Sequence, residues 1–185
     1  MPALDIFSRH LAQLIPAVGS AEFPAMLVAM LRELVPADDA SVIHYPARNL
    51  PVIEYFEVPG ESGGSSLDVF VKGPFLLDPY YLAATRDRQF GVFRLRDLSP
   101  SGFRDSEYYK TWYRNSGFQD ECGFLIPLGR DGFVNIALGK TAARAAFSKR
   151  SGRSPCGPTM STLSAAAPSA RARSASTRAW SSKPA

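Results

Sequence analysis

The apolar periodicity of this chain changes once, and that change limits what it can fold into. From Leu4 to Leu34 the apolar residues recur at helical spacing: Leu4, Phe7, Leu11 and Leu14, widened by Ile15, then Phe23, Met26, Leu27, Met30, Leu31 and Leu34. Residues three and four apart share one side of a helix, so two amphipathic helices are expected. The first ends near Pro16. The second opens with Ser20 as cap, Glu22 in its first turn and Pro24 early, and Pro36 stops it. Beyond Pro36 the period becomes two. "SVIHYP" (41–46) and "PVIEYFEV" (51–58), separated by "ARNL", read as a hairpin, with Ile53, Tyr55 and Glu57 alternating against Val52, Glu54, Phe56 and Val58.

"PGESGGSS" reads as a loop, and "SLDVFVKG" fits strand or helix equally. A short helix starting at Asp78 carries Tyr81, Leu82 and Ala84. "GVFRLRDL" (91–98) alternates Phe93 and Leu95 with Arg94 and Arg96 as a strand would. In "FRDSEYYKTWYRNSG", Tyr108, Tyr109, Trp112 and Tyr113 fall on one side of a helix that Gly117 can end. Two final strands, "CGFLIPLG" (122–129) and "GFVNIALGK" (132–140), meet at an Asp131-Gly132 step typical of hairpins. Two helices followed by strands with helices interposed predict an α+β domain, an antiparallel sheet with helices packed on it.

Charge separates the chain into two parts. All 17 acidic residues lie at or before Asp131, with only 12 of the 21 basic ones, so the folded part is acidic and the basic excess belongs to a tail. The tail, rich in Ser, Ala, Pro and Arg, has no apolar periodicity. The expected division is a folded domain over 1–148 and a disordered tail over 149–185. The tail has the composition that a shifted reading frame in a GC-rich gene encodes; a natural basic tail that clings to anionic surfaces is the alternative. No apolar run approaches the roughly 20 residues of a membrane span, and the N-terminus lacks the pattern of a secretory signal. Cys122 and Cys156 are too few for a disulfide scaffold and sit outside metal-ligand spacing with His10 or His44. A cytoplasmic protein without metal or cofactor is expected.

The candidate site residues each have a plainer reading. Asp78-Pro79 is the pair expected at a helix start, Asp accepting from free N–H groups and Pro preset for the first turn. The same carboxyl, flanked by Tyr80 and Tyr81, can fix a ligand amide inside an apolar pocket, and a cap and an anchor are compatible. The aromatic group around Trp112 and Tyr109 fits a core, although its polar tips need partners and favour a cavity wall. Asn135 can face outward or meet a ligand. The ligand-facing candidates are Tyr55, Asp78, Tyr81, Tyr109, Trp112 and Asn135. No nucleophile, base and orienting acid assemble by spacing, so no catalytic residue is assigned. "GKT" at 139–141 lacks the leading Gly of a phosphate loop, since position 134 is Val.

At "FLLDPYYLAATRDRQFGVFRLRDL", "SEYYKTWYRNSG" and "DECGFLIPLGRDGFVNIALGK" the chain resembles the N-terminal sensory domains of LuxR-type transcriptional regulators, over roughly residues 1–148. The resemblance implies a GAF/PAS-like α-β-α sandwich, a small molecule between sheet and helices, a homodimer, and promoter contact only through a C-terminal helix-turn-helix. The tail carries no such pattern, so the chain reads as a regulator truncated before its DNA-binding part. In acyl-homoserine-lactone receptors of that family an Asp-Pro pair supplies the acid that meets the ligand amide, which carries over onto Asp78 and Pro79; a Gly and a Pro of the later strand carry over onto Gly123 and Pro127. The family's ligand-facing Tyr falls on Val69 and its Trp on Ser65, which implies a different ligand. The alternative is a module without ligand that heterodimerises with full-length regulators and inhibits them. A sulfoxide reductase on the same frame would need a reactive thiol pair, which Cys156 in the tail does not offer.

Overall fold

The computed structural model describes residues 3–57, 63–141 and 147. Helix α1 (Ala3–Ala17) and helix α2 (Phe23–Leu34) are the two expected amphipathic helices, and they pack against each other. Pro16 lies inside the last turn of α1, where its missing N–H removes only one bond. Helix α2 starts later than Ser20 and Glu22 imply: Glu22 occupies the cap position with no side-chain bond to the helix, its carboxylate hydrogen-bonded instead to the Ser20 side chain, while the Ser20 carbonyl accepts from Phe23 N–H at 3.4 Å. Pro24 sits in the first turn and supplies the preset φ that a cap would otherwise help to select.

Strands β1 (Asp39–Pro46) and β2 (Val52–Glu57) form the hairpin, and β4 (Phe118–Pro127) pairs with β5 (Gly132–Thr141). With β3 (Gly91–Arg94) they make one sheet in the order β2-β1-β5-β4-β3, antiparallel throughout. The β4–β5 turn requires Gly at 132: its φ is +111°, and a Cβ there would collide with the Tyr45 carbonyl.

The remaining helical pieces lie between β2 and β4 in the chain. They are α3 (Gly63–Phe70), a 3-10 turn over Pro74–Leu77, α4 (Pro79–Thr85), α5 (Leu95–Leu98), a 3-10 turn over Phe103–Asp105, α6 (Glu107–Thr111) and a 3-10 turn over Tyr113–Ser116. The ambiguous "SLDVFVKG" therefore resolves as helix, with Leu67 and Phe70 buried three apart. "GVFRLRDL" is strand only as far as Arg94. There the guanidinium donates to both Asp97 carboxylate oxygens, at 2.7 and 2.8 Å, and this pairing three residues on favours the turn of α5. The aromatic helix also breaks. Ser106 caps α6 by accepting from Tyr109 N–H at 3.2 Å, the chain leaves helical geometry at Trp112, and Gly117, at φ +81°, closes the following 3-10 turn.

Side chains on the two faces of the sheet form two apolar clusters. On one, Val42, Cys122, Phe124, Ile136 and Leu138 meet Leu14, Val28 and Leu31 of α1 and α2. On the other, Ile43, Tyr45, Leu125 and Phe133 meet Leu67, Phe70, Tyr80, Tyr108, Trp112 and Tyr113. The architecture is α+β, with helices on both faces of a five-stranded antiparallel sheet.

Candidate functional site

Several polar groups are buried on the ring-lined face. Asp78 arrives there because the 3-10 turn over Pro74–Leu77 ends in an extended residue, at φ −66° and ψ 127°, before Pro79 starts α4. Its Oδ1 accepts from Tyr80 N–H at 3.0 Å, which is the expected cap, and the carboxyl is only 4% exposed. Cap and inward placement thus coincide. Burial pushes this carboxyl up to about 7, against the opposing pull of the Tyr80 N–H.

The strand period puts Glu121 of β4 on the same face and its neighbour Asp120 on the opposite one. Glu121 is 8% exposed and hydrogen-bonded to the Tyr113 hydroxyl; burial, then the charges of Asp78 and Asp39, hold its carboxyl well above the usual range. Asp39, at the start of β1, is pushed up to about 7 by burial, with Arg32 opposing, and its Oδ2 has no hydrogen-bond partner. Burial followed by the charges of Asp78 and Glu121 also raises the Tyr45 and Tyr108 hydroxyls far above their ordinary value.

Two more buried polar atoms on this face lack partners. Asn135 pairs across the sheet with Ile43 on one side and Leu125 on the other, and its Oδ1 accepts nothing. The Tyr45 hydroxyl is likewise unpartnered, while its ring stacks on Phe133 with centroids 4.6 Å apart and planes 6° off parallel. A buried polar atom without a partner costs roughly 1–3 kcal/mol, so three on one face need a reason.

Of the sequence candidates, Asp78, Trp112 and Asn135 are buried on this face, and Tyr81 and Tyr109 are half-buried against it. Tyr81 meets Phe75 edge-on at 5.1 Å, and Tyr109 meets Phe103 at 5.6 Å. Tyr55 lies elsewhere. The β1–β2 register steps from Val42 opposite Tyr55 to Ile43 opposite Ile53, a bulge that leaves Glu54 without a partner on β1. Tyr55 is thereby turned towards α1 and α2, where its hydroxyl donates to Glu57 at 3.2 Å.

Sequence reasoning passed over Tyr45, Glu121 and Tyr80. Alternation within "SVIHYP" was the available signal for Tyr45. Glu121 looked like loop because the strand was expected to begin at Cys122. Tyr80 lies flat on the bare backbone of Gly123, where a Cβ would stand 2.5 Å from its ring, and its hydroxyl donates to the Phe93 carbonyl at 3.4 Å.

A groove of about 430 Å³ opens between α4, α5 and α6, lined by Leu77, Leu82, Leu98 and Phe103 with Arg86 and Asp97 among its charges. It shares Pro79, Ala83 and Tyr108 with the buried cluster but does not include Asp78, Tyr45 or Asn135. Among the described residues no three His, Cys, Asp or Glu converge to hold a metal ion, and no helix is long and apolar enough to cross a membrane.

The class this geometry defines is an α+β domain with acidic and amide groups enclosed between a sheet and a layer of aromatic helices. No family model matches the chain, and no curated protein matches it. Among solved structures it is similar to the LBD (ligand-binding) domain of VqsR from Pseudomonas aeruginosa, with a TM-score of 0.63 and 23% identity, over 77% of this chain and 82% of that one. At that identity the likeness is one of fold.

Proposed function

We propose that the chain is a small-molecule-sensing, dimerising regulatory domain of the LuxR type, a binding domain and not an enzyme. The observation that carries this is the pair of unpartnered buried atoms, Asn135 Oδ1 and Tyr45 Oη, on the same ring-lined face as the buried Asp78. A ligand supplying their missing hydrogen bonds would return the stability they cost, and ligand sites generally combine an apolar lining with a few fixed polar groups. The fold likeness to a domain named for ligand binding supports the same reading. DNA contact is assigned to a helix-turn-helix outside the described residues. Pairing of two copies is assigned to α1, which leaves Leu4 and Ile15 more than 60% exposed, with Val18 just past its end equally so.

Native mass spectrometry of the purified chain tests the reading. A small molecule retained by the wild type and lost from Asn135→Leu is expected. Absence of any retained molecule, together with no change in melting temperature across a metabolite library, would rule out sensing.

A further inference from the structure

The register of the sheet fixes where the three unpartnered atoms of the ring-lined face stand. On β1 the side chains on this face are those of Asp39, Ser41, Ile43 and Tyr45, paired in turn with Gly139, Ala137, Asn135 and Phe133 of β5. Asn135 and Tyr45 are diagonal neighbours across the two strands, close enough for one group to meet both Asn135 Oδ1 and the Tyr45 hydroxyl. Asp39 stands in the row of Gly139, four positions along β5 from Asn135, so roughly 13–14 Å separate the two rows at about 3.4 Å per residue. The unsatisfied polarity, Asp39 Oδ2 included, thus marks the two ends of a strip that runs along the β1–β5 seam.

The packing between those ends adds a second, independent observation. Ser41 and Ala137 face each other across the seam, and Gly123 of β4 completes their row. The rings of Tyr80 and Phe118 close over Gly123 and Gly139, where an added Cβ would stand 2.5 and 3.1 Å from them. Ser41 and Ala137 are covered less tightly. They keep 7% and 8% exposure within a five-stranded sheet, whereas Ile136 and Leu138, flanking Ala137 on the opposite face, are 2% and 0% exposed. The helical layer therefore does not seal against the sheet at this row. Interiors are close-packed, and a gap forfeits the contacts of both its walls, so an apolar body seated over Ser41 and Ala137 restores them.

Resting on the sensing reading above, we infer that the ligand class is an elongated, apolar-bodied molecule with a hydroxyl group at each end. It lies along the β1–β5 seam over Ser41 and Ala137, with one hydroxyl at Asn135 and Tyr45 and the other at Asp39. A hydroxyl both donates and accepts, so it meets the acceptor-only Asn135 Oδ1 and the Tyr45 hydroxyl, and it meets Asp39 whether that carboxyl is protonated or ionised. Asp39 is the specificity-determining residue of the pair of ends. A molecule with a single polar end would leave its Oδ2 buried and unsatisfied, and would bring an apolar terminus against it.

Probes matched in length test the two ends directly. Melting temperature is measured for the full chain against straight α,ω-diols from 1,4-butanediol to 1,12-dodecanediol and against the 1-alkanols of the same lengths. Burial alone favours the more apolar alkanol, so a preference for the diol reports the second polar contact. The largest diol response is expected from 1,8-octanediol or 1,10-decanediol, at a concentration roughly tenfold below that of the matching alkanol, which is the worth of one further satisfied hydrogen bond. Asp39→Leu should erase this preference and spare the alkanol response, Asp39→Asn should retain it, and Asn135→Leu should weaken both series, all with unchanged circular dichroism. The wild-type ratio of diol to alkanol decides the matter even where Asp39→Leu fails to fold. An alkanol equal to its diol overturns the inference, as does a preference that survives in Asp39→Leu, a response with no optimum in length, or silence from both series. A molecule retained in native mass spectrometry with only one polar end overturns the two-ended assignment alone; absence of both retention and response removes the sensing reading with it.

Discussion

At the scale of single residues, Asp78 sets a pH signature whose sign is fixed. Its carboxyl moves from 3.8 in the unfolded chain up to about 7 in the fold, because burial disfavours the charged form. The folded state then holds the proton more tightly than the unfolded one. This contribution to stability is greatest below the unfolded value, falls as pH rises through the window between 3.8 and about 7, and is flat above it. The slope is on the order of 1.4 kcal/mol per pH unit within that window. Asp39 and Glu121 act in the same direction, so the informative quantity is a difference between proteins. Urea unfolding at about pH 5 and about pH 8 should show the wild type losing more stability on the way up than Asp78→Asn, which caps α4 equally well. Equal losses would remove the assignment. Gly123 is the second residue with a sharp expectation. The added methyl of Gly123→Ala would stand 2.5 Å from the Tyr80 ring, and the overpacking should cost about 1–3 kcal/mol by the same assay. Trimming the ring in Gly123→Ala/Tyr80→Leu should give part of this back.

At the scale of elements, the parts of the fold legible in the sequence are those fixed by local pattern. The stripes of α1 and α2, the β1–β2 hairpin and the Asp131-Gly132 turn were readable because each is determined by residues within a few positions of one another. What escaped depends on partners distant in sequence. The bulge that turns Tyr55 away exists only because β2 must keep register with β1. Strand β4 begins at Phe118 because Thr141 of β5 pairs there, which turns the acids of "DECG" from loop into strand and sends Asp120 and Glu121 to opposite faces. Asp78 was legible as a cap, but its burial depends on where the 3-10 turn before it docks. The chain's described end is also an element in effect. Phe147 is 1% exposed in the cluster between the sheet and α1–α2; its N–H donates to Asp120 at 2.7 Å, its carbonyl accepts from Arg96, and Lys140 lies 4.2 Å above its ring. Phe147→Ala should cost about 3–5 kcal/mol, and Asp120→Ala about 1–3 kcal/mol, read as shifts in the denaturation midpoint.

At the scale of the whole molecule, the exposed apolar residues of α1 make association the property to measure. Sedimentation velocity should show a dimer that Ile15→Glu dissociates at unchanged helix content; a monomeric wild type would leave α1 without the assigned role. Ligand and terminus should also communicate. The Glu121 N–H donates to Asp120 Oδ1 at 3.2 Å, and the other oxygen of the same carboxylate holds the Phe147 N–H. A small molecule retained on this face is expected to slow hydrogen exchange at Phe147 in the wild type and not in Glu121→Gln; identical protection in both would exclude that route. Adjacent acids pointing through the two sides of one strand make β4 a partition with a handle on each side. A message entering from the ring-filled chamber has a single peptide unit to cross before it reaches whatever the chain attaches beyond residue 147.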